Sequence, residues 1–166
     1  MKTYLLHLVV LAGLVFNPPL RAEDAKSPAA TDLQAKFKET MTAATMAGRW
    51  CPLKDGVLGE EKEDRYDIVS VEKGTGDDWI INARMKRGER EFVAPIPVQV
   101  KWAGDTAVIV VDELRMPGPS GYGGTTYSAR VLVHGNTYAG TWSGGNHAGL
   151  LKGVITKAAE AKPETK

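Results

Sequence analysis

Two histidines and the single cysteine are the side chains best suited to metal binding or nucleophilic chemistry. His134 precedes the pair Gly135-Asn136, and His147 lies in the Gly-rich stretch from Gly144 to Gly149. The two histidines are distant and have no Asp or Cys at ligand spacing, so we expect no metal site and no cofactor. A Cys51–His147 nucleophilic pair is the alternative. Because no family nucleophile sequence surrounds Cys51, we predict a buried, inert thiol.

Two clusters of carboxylates could perform acid–base chemistry. The first, Glu60 to Asp64, is a charge run of the kind that usually forms a solvated loop. In the second, Asp112-Glu113, strand alternation sends the two side chains to opposite faces, so they cannot flank one substrate. Glu113 shares a face with Val111, which we expect to point inward, where the carboxylate could meet a ligand. The alternative for Glu113 is a solvated position at the rim.

The Gly- and Pro-rich segment Arg115 to Thr125 is a third candidate. It is not a phosphate cradle, because no helix follows it to receive an anion. With Tyr122 as an amphipathic tip it could be a lid, and the alternative is a flexible surface loop. A shorter connection, which starts at Arg87, is predicted at the same end of the fold.

We predict no catalytic residue. The candidate ligand-binding residues are Arg87, Glu113, Tyr122, Trp142 and His147.

The first 22 residues have the pattern of a secretory signal. Lys2 supplies a positive start, Leu5 to Phe16 is an apolar run, and Leu20-Arg21-Ala22 ends on a small residue. The apolar run is shorter than the roughly 20 residues that a spanning helix needs. We therefore expect a Sec-type signal peptide cleaved after Ala22 and a secreted or periplasmic protein, with an uncleaved anchor as the alternative.

Charge and length narrow the classes of partner. The chain has 21 basic and 20 acidic residues, a formal net charge of +1. Nucleic acids and acidic membranes require a concentrated basic patch, so we expect neither as a partner and no membrane insertion after cleavage. The remaining chain suits one domain, with a core large enough to be stable without a disulfide.

One amphipathic helix is predicted ahead of the strands. Residues 23–31 are polar and are expected to be a disordered leader. Thr31 and Gln34 have the spacing of a capping box, and apolar residues at helical spacing predict a helix from Asp32 to about Thr45. Residues 158–166 are expected to be a disordered tail, which leaves one helix-plus-barrel domain over residues 32–157.

Period-two alternation then predicts eight strands and an all-β fold. In the third strand, for example, Trp79, Ile81 and Ala83 share one face. One-sided strands of this kind are typical of antiparallel sheets. The predicted strands are residues 46–53, 64–73, 78–86, 91–103, 106–114, 126–134, 137–143 and 150–157.

The turns between these strands alternate in length. Tight turns are predicted at residues 74–77, 104–105 and 135–136, and longer ones at 54–63, 87–90, 115–125 and 144–149. In an up-and-down meander the two sets lie at opposite ends. The sequence therefore predicts an eight-stranded antiparallel barrel with one closed end and one open end, whose interior is filled by side chains or holds one small ligand.

Short motifs resemble those of the calycin superfamily, the lipocalin-like barrels with avidin as a cousin. Gly48-Arg49-Trp50 looks like the Gly-x-Trp that opens the first lipocalin strand, and Tyr138 to Trp142 is similar to a late avidin-like strand. The resemblance implies that Trp50 plugs the closed end. Lys157 stands near the position of the family's Arg, which packs over that Trp.

We therefore expect an exported, non-enzymatic, lipocalin-like barrel that binds a small, mostly apolar ligand through its open end. Inward-facing aromatic residues and the asymmetry of the turns motivate this expectation. The alternative is a structural or protein-interaction module of the cell envelope, with its barrel filled by side chains. An enzyme is disfavoured, because no nucleophile, base and metal form a matched set.

Overall fold

A computed structural model of the chain describes residues 29–87, 90–116 and 124–157. The predicted signal peptide, most of the predicted leader, the tail 158–166 and Tyr122 lie outside the described residues. The elements in chain order are α1 (Ala30–Met41), β1 (Ala44–Lys54), β2 (Val57–Leu58), β3 (Lys62–Lys73), β4 (Asp78–Arg87), β5 (Arg90–Ala103), β6 (Thr106–Met116), β7 (Thr125–His134), β8 (Thr137–Gly144) and β9 (His147–Lys157).

The long strands form one antiparallel meander that closes on itself. Each long strand pairs with the next along the chain, and β1 also pairs with β9, from Ala44 opposite Lys157 to Leu53 opposite Ala148. Closure gives an eight-stranded barrel preceded by a short helix, which confirms the predicted all-β fold class. It also removes the unpaired edges that an open sheet would leave.

Two glycines face each other where the barrel closes. Gly48 of β1 pairs with Gly153 of β9. A Cβ atom on Gly48 would lie 2.0 Å from the carbonyl oxygen of Lys152, and one on Gly153 would lie 2.3 Å from that of Ala47. Real Cβ atoms do not come so close to backbone atoms, so only glycine allows the two strands this approach.

Helix α1 closes one end of the barrel. Leu33, Phe37 and Met41 are buried. The Phe37 ring lies edge-on to Trp79 of β4, with centroids 5.3 Å apart, and to Trp102 of β5 at 6.2 Å. Both tryptophans flank the tight turns, so the tight-turn end is the closed end, and we call the opposite end the mouth.

The helix differs from the prediction at both ends. It begins at Ala30 after Ala29, with no side-chain cap, so Thr31 lies inside the helix and the predicted capping box is not formed. It ends at Met41 instead of Thr45, because Ala43 has a left-handed φ of 50° that turns the chain directly into β1. Among the described residues, no helix has the length and apolar character needed to cross a membrane.

The tight turns at the closed end are confirmed, but the mouth has fewer long loops than predicted. Residues 54–63 continue the first hairpin through β2, around an Asp55-Gly56 turn in which both φ angles are positive. The loop predicted at residues 144–149 is a two-residue turn, Gly145-Asn146. Gly149 instead belongs to β9, where an added Cβ would lie 2.3 Å from the carbonyl oxygen of Cys51.

Packing of Phe37 against the barrel end predicts a large loss of stability on truncation. Phe37→Ala should lower the free energy of unfolding by about 3–5 kcal/mol, because the ring is only 4% exposed and leaves a cavity between two tryptophans. Urea denaturation monitored by far-UV circular dichroism measures the change. Lys38→Ala, at the exposed neighbouring position, should stay within about 0.5 kcal/mol of wild type. A comparably small effect of Phe37→Ala would show that α1 does not stabilise the barrel.

Candidate functional site

The barrel interior contains a cavity of about 400 Å³. Its walls come from the inward faces of all eight long strands, and Met41 of α1 contributes to it as well. Most of these side chains are aliphatic or aromatic. The described lining residues are Met41, Met46, Trp50, Asp64, Tyr66, Ile68, Ile81, Ala83, Ile96, Val98, Ile109, Val111, Leu114, Tyr127, Ser128, Ala129, Val131, Trp142 and Leu151.

Trp50 and Trp142 form an aromatic pair in the half of the barrel nearer the mouth. Their ring centroids are 5.5 Å apart in an edge-to-face arrangement. β1 leaves α1 at Ala44 and runs toward the mouth, so Trp50 stands well away from the closed end. The expectation that Trp50 plugs the closed end is therefore wrong, because α1 with Phe37 occupies that place.

Lys157 also has a different role from the one that the resemblance implies. Its Nζ atom donates hydrogen bonds to the backbone carbonyls of Glu39 and Thr42. These carbonyls lie at the C-terminal end of α1, where a cation is favourable. Lys157 therefore fastens the helix to the last strand and does not cover Trp50.

A row of paired positions crosses the closure of the barrel and connects Asp64, which lines the cavity, with Tyr138. Asp64 of β3 pairs with Gly48, Gly48 with Gly153, and Gly153 with Tyr138 of β8. The Tyr138 ring covers Gly153, since a Cβ on that glycine would lie 2.7 Å from two ring carbons. One carboxylate oxygen of Asp64 and the hydroxyl of Tyr138 are buried and have no hydrogen-bond partner.

The electrostatics of these groups follow from their burial. Burial raises the pKa of the Asp64 carboxyl above its ordinary value, and hydrogen bonds from the Tyr66 hydroxyl and the Arg65 backbone N–H offset only part of the rise. Burial and the neighbouring Asp64 charge raise the pKa of Tyr66. Burial also raises the pKa of Tyr138 to about 12. Of these three residues, Asp64 and Tyr66 line the cavity and contribute to the polar part of its largely apolar wall.

The structure separates the predicted site residues. Trp142 lines the cavity, whereas His147 is exposed at the first position of β9. Arg87 ends β4 on the mouth side, and Tyr122 lies outside the described residues. Glu113 is exposed, so the predicted inward position is wrong and the alternative, a solvated position, is the one observed.

A β-bulge explains the outward position of Glu113. The register between β6 and β7 shifts between Val111 and Leu114, and Glu113 has a φ of 52°. Strict alternation breaks at such a bulge, so the next inward side chain is Leu114. The backbone N–H of Glu113 lies 3.4 Å from the hydroxyl oxygen of Ser128.

The other reactive side chains lie apart from the cavity. Cys51 is buried and free, as predicted. His134 is exposed beside its tight turn, with Nδ1 3.0 Å from the Thr106 hydroxyl. Glu61 pairs with Arg49 and Lys152 on the outside of the barrel. Within the described residues, no three His, Cys, Asp or Glu side chains are grouped so that they could hold a metal ion.

Sequence reasoning missed Asp64 because it was grouped with the charged loop that precedes it. Ile68 is a buried strand residue, and counting back in steps of two puts Tyr66 and Asp64 on the same face. Strand alternation therefore indicates an inward position for Asp64. The high charge of residues 60–64 instead favours a solvated loop, and for this reason the inward position was not predicted.

Comparison of the chain with protein-family models and with curated protein sequences finds no match. The class that the structure defines is a closed, eight-stranded antiparallel barrel with one helix, which is consistent with a calycin-like fold.

The raised pKa of Asp64 predicts that this residue destabilises the protein as the pH rises. The folded protein holds the Asp64 proton more tightly than the unfolded chain does, so stability falls as the pH passes from the unfolded to the folded pKa. Asp64→Asn should therefore increase the free energy of unfolding relative to wild type at about pH 7, with no increase at about pH 3. Urea denaturation at both pH values measures the difference.

Glu63→Gln is the matched control, since Glu63 is the exposed neighbour of Asp64 on the same strand. It should give no comparable gain at either pH. Equal stability of Asp64→Asn and wild type at both pH values would contradict the prediction.

Proposed function

We propose that this protein is a non-enzymatic binding protein that holds a small, mostly apolar molecule in its barrel. The main support is the cavity of about 400 Å³, whose walls are predominantly aliphatic and aromatic. Its volume lies within the roughly 300–1,000 Å³ range of small-molecule sites. An apolar ligand would gain affinity by leaving water for this surface.

The chemistry of the lining supports binding over catalysis. Among the lining residues of the described chain there is no His, Cys or Lys. Ser128 is present, but it has no neighbouring base in that set that could activate it as a nucleophile. The arrangement is that of a largely apolar cavity in which Asp64 is the one carboxylate among the described lining residues.

The proposal extends the resemblance to lipocalin-like barrels. Eight-stranded up-and-down barrels can hold one small ligand in their interior. Because α1 closes one end here, we propose that the ligand enters at the mouth. Here the half of the cavity nearer the mouth carries the Trp50–Trp142 pair, so a bound ligand would contact two intrinsic fluorophores. Trp fluorescence is therefore a direct probe of occupancy.

A second candidate function is supported by the hairpin of β1 and β2. Leu53, Val57 and Leu58 are 39%, 68% and 51% exposed, which makes an apolar tip beside the mouth. Such a tip could contact another envelope protein.

Pull-down from an envelope extract with wild type and with Val57→Asp tests this second function. Recovery of the same proteins by both would refute a binding role for the apolar tip. The cavity counts against a side-chain-filled barrel, which the alternative prediction assumed.

Filling the cavity should abolish binding. Ala129 lines the cavity, and Ala129→Phe would place a ring where the ligand lies. We expect the dissociation constant of the neutral fluorophore N-phenyl-1-naphthylamine to increase at least about tenfold, which corresponds to 1.4 kcal/mol. The control is Ala139→Phe, at an exposed position on β8, which should bind like wild type. Absence of probe binding to wild type, or equal binding to Ala129→Phe, would overturn the proposed function.

We further propose that the protein is exported, on the pattern of the first 22 residues. Expressed from its full sequence in a bacterium with a periplasm, the protein should be recovered there with Glu23 as its first residue. Mass spectrometry of the intact protein measures this. Replacing Leu11 with Arg should leave the full-length form in the cytoplasm, because a charge interrupts the apolar run. Recovery of an intact N-terminus outside the cytoplasm would contradict the predicted cleavage.

A further inference from the structure

We propose that the ligand of the barrel is an amphiphilic amine, with its ammonium group bound to Asp64 and its apolar body in the rest of the lumen. The inference rests on the proposed function, since it specifies the ligand of the same cavity. It depends on a half-buried carboxylate, with one buried and unpaired oxygen, on the wall of an apolar cavity.

The position of Asp64 is the first observation. Asp64 lines the cavity, and one of its carboxylate oxygens is buried without a hydrogen-bond partner. Among the residues that the structure describes, Asp64 takes part in no ion pair. Arg49 and Lys152 pair with Glu61 on the outside of the barrel. Lys62 precedes Asp64 by two residues on β3, and its Nζ atom lies over the Trp50 ring, 5.1 Å from the centroid, without forming an ion pair with Asp64.

No described side chain forms an ion pair with Asp64. Tyr66 and Tyr138 are the neighbouring titratable side chains, and both are neutral phenols over the ordinary pH range. Opposite Asp64, β1 and β9 present only Gly48 and Gly153, which carry no side chains. A carboxylate oxygen that is buried without a hydrogen-bond partner or a cation is unfavourable, so this part of the lumen is complementary to a positive charge.

The unpaired oxygen of Asp64 also matches the hydrogen-bonding capacity of an ammonium group. A primary ammonium has three donors and no acceptor. It could donate to the free oxygen of Asp64, while an alcohol of the same shape supplies one donor and no charge. The remaining cavity wall is largely aliphatic and aromatic, which favours a ligand with one charged end and an apolar body.

The test compares decylamine with decanol, which have the same chain length and differ in the head group. Both are titrated at about pH 7 in competition with N-phenyl-1-naphthylamine. Because a hydrogen bond to a charged group is stronger than a neutral one, we expect wild type to bind the amine about 10- to 100-fold more tightly than the alcohol. In Asp64→Asn this preference should fall to within about twofold, whereas Glu63→Gln should retain it.

The outcomes separate the two proposals. Equal affinity of wild type for the amine and the alcohol would overturn the amine proposal and leave the apolar binding site in place. If Asp64→Asn keeps the wild-type preference for the amine, the role of Asp64 is likewise overturned, and the apolar binding site again stays in place. If neither ligand nor the fluorophore binds to wild type, the proposed function itself fails, and the amine proposal with it. The wild-type comparison requires no variant, so it stands even if Asp64→Asn does not fold.

Discussion

The pairing of β1 with β9 is the contact on which the rest of the structure depends. These strands lie at opposite ends of the described barrel sequence, so closure joins residues that are far apart in the chain. Without it the sheet would have two open edges and an exposed apolar face. The close approach needs Gly48 and Gly153, so neither β1 nor β9 supplies a side chain at the position paired with Asp64 that could bind its carboxylate. Gly48 and Gly153 therefore matter twice: they allow the barrel to close, and they bring no side chain next to Asp64 in the lumen.

Much of the fold could be predicted from the sequence, because strand alternation is a local property. Trp79, Ile81 and Ala83 share a face in the sequence pattern and are all buried in the structure. The tight turns at Gly104-Asp105 and Gly135-Asn136 could also be predicted, because these residue types tolerate positive φ. Both glycines adopt positive φ in the structure. A local signal of this kind is strong wherever one face of a strand is buried and the other is solvated.

The errors lie where one residue type serves two purposes. Glycine can mark a turn or a close approach of two strands. The sequence pattern predicts a turn at Gly149, whereas the structure uses this glycine for a close approach of two strands. Glu113 follows the alternation of its strand until a bulge reverses it. The end of α1 depends on the left-handed conformation of Ala43, which helix propensity does not indicate. Each of these features is set by tertiary contacts, so the sequence pattern alone could not supply them.

The candidate site combines two features that lower stability. A cavity in the lumen forgoes the packing contacts that larger side chains would provide. Asp64 places a carboxylate where an apolar residue of similar size would be more favourable. A barrel with a purely structural role could remove both by filling its interior. Their coincidence in one space is a physical reason to regard the lumen as a binding site, because a ligand that occupies the cavity and neutralises Asp64 would relieve both penalties at once.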